Sequence, residues 1–374
     1  MKTLENLRLG GLVNPLIDFK RPVYNWFAMK ESFSSGLVRL LAETWRLEKG
    51  DVVLDSFCGA GTTPLACREL GLDCVGFDVH PVSLFASRVK LREYNIEGLK
   101  EFAGELLGSR PDPEEVDVPG FVTRVFPNRV LRDILAFRQV AEEVNDDDAR
   151  DFLLLGLANA AMRCSWAHKD GAAIKVVKRP LPSFRKALKR QLFSMFTHLG
   201  EFKVKQSTIR IEHSDAREMK LTDESVDAVI TSPPYLGKHE YIHAYRIEQW
   251  LLGLKGPSAN NLIGFRSTDV GEDFSGVEGK IGDKSLEVNH YFKDMLAAIK
   301  ELYRVCRSGC KLCLVVSDGC FRDGVVDVCV QLSKLAEIVG FKAKRVITVN
   351  SRYCTTPSRR KIGTTREALL LWVK

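Results

Sequence analysis

Long apolar runs are missing from this sequence. None approaches the roughly 20 residues that a membrane span needs, and the N-terminal stretch MKTLENLRLGG has no signal-peptide core. These two absences predict a soluble, cytoplasmic protein with no membrane partner. No internal repeat is present either, which leaves repeat architectures out. The ten cysteines do not make a zinc set. Cys310 and Cys313 form a C-x-x-C, with Cys306 before and Cys320 after, but no second C-x-x-C completes four ligands. CKLCLVV reads instead as a buried strand in which cysteine acts as a small apolar residue. A cytoplasmic chain is expected to keep its thiols reduced.

A third absence concerns the stretch His239-Glu240-Tyr241-Ile242-His243, which matches the H-E-x-x-H zinc pattern. A zinc hydrolase needs a third protein ligand and an open site. No H-x-x-G-x-x-H extension follows His243, and His290 is the only nearby downstream histidine. Zinc hydrolysis is therefore set aside and no metal is expected. His239, Tyr241, His243, Tyr245 and Arg246 are expected to line a nucleotide cleft or cover a sheet edge.

What is present fits an α/β enzyme. The 374 residues suffice for a buried core and about two domains, and 45% hydrophobic with 28% charged residues is ordinary for a globular protein. A net charge of +7 permits a nucleic-acid partner without demanding one. DVVLDSFCGAGTTPLACREL reads as strand, tight loop and helix. Gly59 and Gly61 allow backbone geometries that a Cβ resists. Thr62 is a candidate N-cap, and Pro64 is tolerable in the first turn. A second strand, DCVGFDV, ends on Asp78, close to the ~20-residue offset after Asp55 expected of a ribose-binding carboxylate. No third glycine follows, so the loop is not the dinucleotide-binding pattern.

Regular alternation lapses from about 96 to 205, where VLRDILAFRQVAEEV and ARDFLLLGLANAAMRC carry helical spacing. The most basic stretch follows, from Lys169 to Arg190, with Trp166 and Phe184 among its charges. Trp166, Lys178, Arg179 and Lys186, together with Arg246, are candidate nucleic-acid contacts, because cations interleaved with aromatics suit phosphates and unstacked bases. A solvated helix face is the plainer alternative for such a run. The α/β pattern resumes with STIRIEHSD, ending on Asp215, and VDAVITS, which runs into Pro233 and Pro234. CKLCLVVSD adds a strand, and FKAKRVITV and EALLLWVK form a closing antiparallel pair. Residues 254–288, rich in Gly, Ser and Asn, read as a long loop.

LDSFCGAGTT, GFDVHP and TSPPY together resemble the S-adenosylmethionine-dependent amino-methyltransferases of nucleic acids. Ser-Pro-Pro-Tyr resembles the cytosine-N4 branch more narrowly; Asp-Pro-Pro-Tyr is commoner in adenine-N6 enzymes. The resemblance covers residues 20–90 and 206–374. It implies a class I Rossmann-like fold, with a mostly parallel seven-stranded sheet and a C-terminal antiparallel hairpin. The catalytic domain would comprise 1–95 and 206–374, and a helical, basic insertion at 96–205 would recognise substrate. It implies S-adenosylmethionine as cofactor, its methionine moiety held by Asp55, Phe57, Gly59, Gly61 and Thr62, its ribose by Asp78 and its adenine amino group by Asp215. The upstream YNWFAMKESF, beginning at Tyr24, would line the methionine pocket, although it matches the family more loosely. Ser56 stands where many relatives have proline.

The chemistry of a ring amine accounts for TSPPY independently. Cytosine's exocyclic lone pair is delocalised into the ring, so acceptors at both N–H groups are needed to draw it towards sp3 geometry. The Ser232 hydroxyl and the Pro233 carbonyl can supply them, Pro233 and Pro234 stiffen the backbone, and Tyr235 offers a stacking face. The competing ring-carbon chemistry needs a cysteine nucleophile, and Tyr235 occupies that place. The sequence thus predicts methyl transfer to cytosine N4 in nucleic acid, with structured RNA, ribosomal RNA included, preferred to DNA because of the clamp-like insertion. The alternatives are a DNA cytosine-N4 or adenine-N6 methyltransferase and, more remotely, an inactive nucleic-acid binder.

Overall fold

The computed structural model describes residues 1–113, 116–170, 173–238, 243–257, 262–264, 285–321, 324–355 and 361–374. His239, Glu240 and Tyr241 fall outside these residues, as does most of the expected loop at 254–288. The elements are β1 (Lys2–Glu5), α1 (Ser35–Trp45), β2 (Val52–Asp55), α2 (Thr62–Leu70), β3 (Asp73–Asp78) and α3 (Pro81–Leu91). The insertion follows with α4 (Ile96–Gly108), α5 (Gly120–Thr123), α6 (Asn128–Glu142), α7 (Asp147–Arg163), β4 (Ala167–Asp170), β5 (Ala173–Val176) and α8 (Phe184–Glu201). The chain then returns through β6 (Ile209–His213), β7 (Val226–Thr231), α9 (Arg246–Leu251), α10 (Ser285–Val305), β8 (Cys306–Ser317), β9 (Gly319–Phe321), β10 (Gly324–Val326), α11 (Val328–Val339), β11 (Lys342–Thr355) and β12 (Lys361–Val373).

The main sheet has the order β1-β11-β12-β8-β7-β2-β3-β6. β6, β3, β2, β7 and β8 run parallel, and β12 is antiparallel to both β8 and β11. This is the class I methyltransferase arrangement with one strand more than the seven expected. The extra strand, β1, pairs Lys2–Glu5 with Arg345–Thr348 at the sheet edge. Its side chains are mostly exposed, so it joins through backbone hydrogen bonds and carries no apolar pattern to betray it.

Alternation explains the layering. Successive side chains of a strand point to opposite faces. In β7, Val229 enters one apolar cluster, while Ala228 and Ile230 enter another. In β8, Leu312, Leu314 and Val316 join the first and Cys313 and Val315 the second. Both faces are covered by helices, so these strands read as unbroken apolar runs. The C-x-x-C is therefore structural: Cys306, Cys310 and Cys313 are buried free thiols. Among the described residues no group of His, Cys, Asp or Glu is arranged to hold a metal. Cys320 corrects the expectation of reduced thiols, because it is bridged to Cys354, their Cα atoms 5.8 Å apart, within reach of a disulfide.

The insertion is not a detached unit. A single apolar cluster holds Tyr24, Trp26 and Phe27 of the N-terminal segment, Val82 and Val89 of α3, and Phe152, Leu155 and Leu192 of the insertion. Within the expected basic clamp the chain forms a two-stranded hairpin, β4–β5, that helical spacing does not predict.

Candidate active site

The carboxyl ends of β2, β3, β7 and β8 open onto a cleft of about 590 Å³. On one side stand Ser56, Phe57, Gly59, Asp78, Val79, His80 and Asp215; on the other stand Ser232 to Tyr235.

The glycine loop is built as the spacing predicts. Gly59 and Gly61 have φ of 51° and 84°, a region that favours residues without a Cβ. A Cβ on Gly59 would come within 3.0 Å of Met29 Sδ, and one on Gly61 within 3.0 Å of Ser87 Cβ. Gly61, not Thr62, is the N-cap of α2. The Thr62 hydroxyl instead pairs with Ser32 at 2.9 Å, tying the loop to the upstream segment.

Asp78 accepts hydrogen bonds from the backbone N–H groups of Gly59 (2.8 Å) and His80 (2.7 Å). Burial pushes its carboxyl above the usual carboxylate range, and those backbone bonds oppose the shift. Asp55 is buried beneath the loop, where it accepts from Thr231 Oγ1 at 2.6 Å and from the Phe57 N–H at 3.2 Å. Burial raises its pKa to about 6, against those hydrogen bonds. It shapes the loop from below; the cleft wall itself is formed by Phe57 and Gly59.

Tyr24 does not line the cleft. Its ring is buried, its hydroxyl donates to Glu69 at 2.5 Å and Arg21 packs over it. The upstream residues that do reach the cleft are Met29, Lys30, Glu31 and Ser32. Buried Lys90 holds this segment in place, donating to the carbonyls of Phe27 (2.9 Å) and Ala60 (3.0 Å). Desolvation lowers its pKa to about 7.

Asp215 lines the cleft, but its carboxylate is already engaged by Arg217, at 2.9 Å to Oδ1 and 2.6 Å to Oδ2. The buried Arg217 also pairs with Asp294 at 2.8 Å. The Arg217 backbone N–H also donates to Oδ1 at 2.9 Å; a carboxylate has about four acceptor sites, so capacity remains for one further donor.

The Ser-Pro-Pro-Tyr turn leaves β7 at the cleft. Ser232 Oγ donates to the Val315 carbonyl at 3.0 Å, which turns its oxygen lone pairs into the remaining acceptor. The Pro234 carbonyl accepts from the Tyr291 hydroxyl at 3.0 Å. Among the described residues no hydrogen bond engages the Pro233 carbonyl. Tyr235 donates to Glu367 Oε1 at 3.1 Å, and burial with the Glu367 charge pushes its phenol well up.

The basic insertion residues stand outside this cleft. Lys178 lies 5.6 Å from the centre of the Trp166 ring, and Trp166 Nε1 donates to the Arg179 carbonyl at 3.1 Å. Arg179 Nη2 donates to the Ser165 carbonyl at 3.3 Å. Arg246 packs over Phe121 at 5.0 Å. Lys186 is exposed on α8. His243 is exposed, and Tyr245 is the residue of its stretch that reaches the cleft, donating to Glu31 at 2.7 Å.

Several cleft residues escape a motif reading. Among the described residues, the Ser56 hydroxyl and both ring nitrogens of His80 are buried without a hydrogen-bond partner. Burial, with the Lys169 charge second, lowers the His80 pKa to about 4 and leaves its imidazole neutral; its ring meets Tyr245 edge-on at 6.2 Å. His80 was readable in GFDVHP as the residue after Val79. Glu367 and Arg352 arrive from the sheet's far end, and no local signal marks them.

These features fit S-adenosylmethionine: a strand-end acid beside a glycine cradle that a Cβ would fill, and orphaned polar atoms facing the same space. Comparisons agree. The DNA methylase family pattern (N6_N4_Mtase) matches residues 33–84, which span β2, the glycine loop and Asp78. The type II methyltransferase M.BsoBI of Geobacillus stearothermophilus is 24% identical, over 97% of this chain and 88% of its own. M.AvaI of a Nostoc species, also a type II methyltransferase, is 23% identical over 95% and 87%. A TehB-like S-adenosylmethionine-dependent methyltransferase of Corynebacterium glutamicum overlaps at a TM-score of 0.31 and 9% identity, covering 90% and 86%, which is too loose to bear on the reaction. The family pattern is one of DNA methylases, so the preference for RNA is not supported and DNA is favoured. No described helix is long and apolar enough to cross a membrane. The pattern match and these relatives support the resemblance to the S-adenosylmethionine-dependent N6/N4 DNA methylases that the motifs carry.

Proposed function

We propose that the protein methylates the exocyclic N4 amine of cytosine in DNA. The observation that carries this is the Ser232 hydroxyl, whose hydrogen is spent on Val315 and whose oxygen is left to accept from a target amine. When bound beside Asp78, S-adenosylmethionine supplies an electrophilic methyl group. Ser232 Oγ and the Pro233 carbonyl accept the two amine N–H bonds and localise the lone pair on nitrogen. Tyr235 fixes the ring plane, its own hydroxyl held by Glu367. Alignment of the amine converts a bimolecular displacement into an effectively unimolecular one. The amine then loses one proton to water, so no side chain of special basicity is needed. A base within a duplex must first be extruded.

The test is incubation with methyl-labelled cofactor and duplex DNA, with structured RNA in parallel, followed by nucleoside analysis. N4-methylcytosine from DNA is expected. N6-methyladenine would move the assignment to the other branch of the family, and label confined to RNA would overturn the choice of DNA.

A further inference from the structure

The β11–β12 hairpin continues beyond the sheet. Glu367 pairs with Ser317, the last residue of β8. Past that rung, Arg352 faces Thr365, Tyr353 faces Thr364 and Cys354 faces Gly363, with only the two strands of the hairpin in register. Because β12 runs antiparallel to β8, whose carboxyl end opens on the cleft, these rungs stand on the cleft side. From Glu367 to Lys361 the arm rises about 20 Å, at ~3.4 Å per residue.

One face of the arm is backed by β9–β10: Cys354 is bridged to Cys320, and a Cβ on Gly363 would lie 2.8 Å from Val325. Arg352 and Thr365 line the cleft below. The other face is open. Tyr353 is 71% exposed there, with Lys361 Nζ 3.9 Å from its ring centre. The basic groups differ in what they already hold. Arg366 is committed to Asp318 (2.9 Å) and Asp327 (2.5 Å), whereas the Arg352 side chain has no ion-pair partner among the described residues.

We infer that this arm is a DNA-contacting element, separate from the basic insertion. Arg352 holds a phosphate of the nucleotide presented to Tyr235, and Lys361 with Tyr353 holds the backbone of the flanking duplex. An unpaired guanidinium at the cleft suits a phosphate oxygen, and an exposed ring under a cation suits a sugar or base face beside a phosphate. A solvated hairpin tip would show the same exposure. What distinguishes this arm is its root, since Glu367 at its base accepts the hydroxyl of Tyr235.

The inference rests on the DNA reading proposed above. The experiment measures duplex-DNA affinity against salt, KM for DNA, and cofactor affinity by calorimetry, for wild type, Arg352→Ala/Lys361→Ala, Tyr353→Ala and Arg352→Lys. Each lost phosphate contact should flatten the log–log salt slope by about 0.9. The double variant should therefore lose about 1.8 and raise KM for DNA, Tyr353→Ala should weaken DNA binding, and Arg352→Lys should restore most of the slope. Cofactor affinity should hold in all, which also reports that each variant is folded. An unchanged slope and KM in variants of an enzyme that methylates DNA would overturn the arm alone. A wild-type protein that methylates no nucleic acid would overturn the function and the arm together.

Discussion

The Gly59 N–H donates to Asp78 Oδ2 at 2.8 Å, so the acid at the end of β3 also holds the glycine loop. Asp78→Ala should therefore remove a ligand contact and loosen the cradle. Hydrogen bonds to a charged acceptor are worth about 1.5–3 kcal/mol, which corresponds to a roughly 10- to 150-fold rise in Kd for S-adenosylmethionine. Calorimetry on a folded Asp78→Ala protein with unaltered affinity would remove Asp78 from the site.

Ser232 and Tyr235 should act on the target base. Ser232→Ala is expected to depress kcat while leaving cofactor affinity in place. Tyr235→Ala removes a stacking face worth about 1–3 kcal/mol. Tyr235→Phe keeps the face and loses only the bond to Glu367, so it should fall between wild type and alanine. Full activity of both alanine variants on the native substrate would refute the amine-methylation reading.

Lys90 makes a prediction in pH. Its folded pKa is lowered from 10.5 to about 7 by burial, so between these values the unfolded chain binds the extra proton. Stability therefore rises with pH across that window. The neutral amine still has two N–H groups for the carbonyls of Phe27 and Ala60. Lys90→Met should abolish this rise and, by orphaning two carbonyls, destabilise the fold at high pH by about 1–3 kcal/mol. Urea midpoints taken from pH 7 to 10 test it; parallel curves for wild type and variant would be the contrary result.

The basic stretch from Lys169 to Arg190 should contribute less than its charge suggests. Replacing Lys178, Arg179 and Lys186 by alanine would flatten the salt slope by two to three units if all three held phosphates. Lys178 lies over Trp166 and Arg179 binds the Ser165 carbonyl, so a loss nearer about 0.9, from Lys186, is expected. A loss above two units would show that those internal contacts open on binding.

The parts legible in sequence are those whose chemistry is local. Asp55, Gly59 and Gly61 could be read because a strand must end and a loop must turn within a few residues. Ser232 and Tyr235 could be read because two prolines fix the backbone between them. What was not legible depends on distant approach. Arg217 occupies Asp215 from two residues away, yet the same guanidinium also pairs with Asp294 on α10, far along the chain. Tyr24 looked like a pocket residue by position, and the carboxylate of Glu69 drew it away. β1 left no trace because its pairing is backbone alone.

Trp26 joins the segment ahead of the glycine loop to the insertion. Its ring meets Phe152 edge-on at 5.3 Å and its Nε1 donates to His198 at 3.2 Å. Asn159 donates to its carbonyl. The element read as a recognition module thus also packs behind the segment whose residues Met29 to Ser32 reach the cleft. Exchanging the insertion between relatives would carry Trp26 and its neighbours along with it: the insertion is not a detachable cassette.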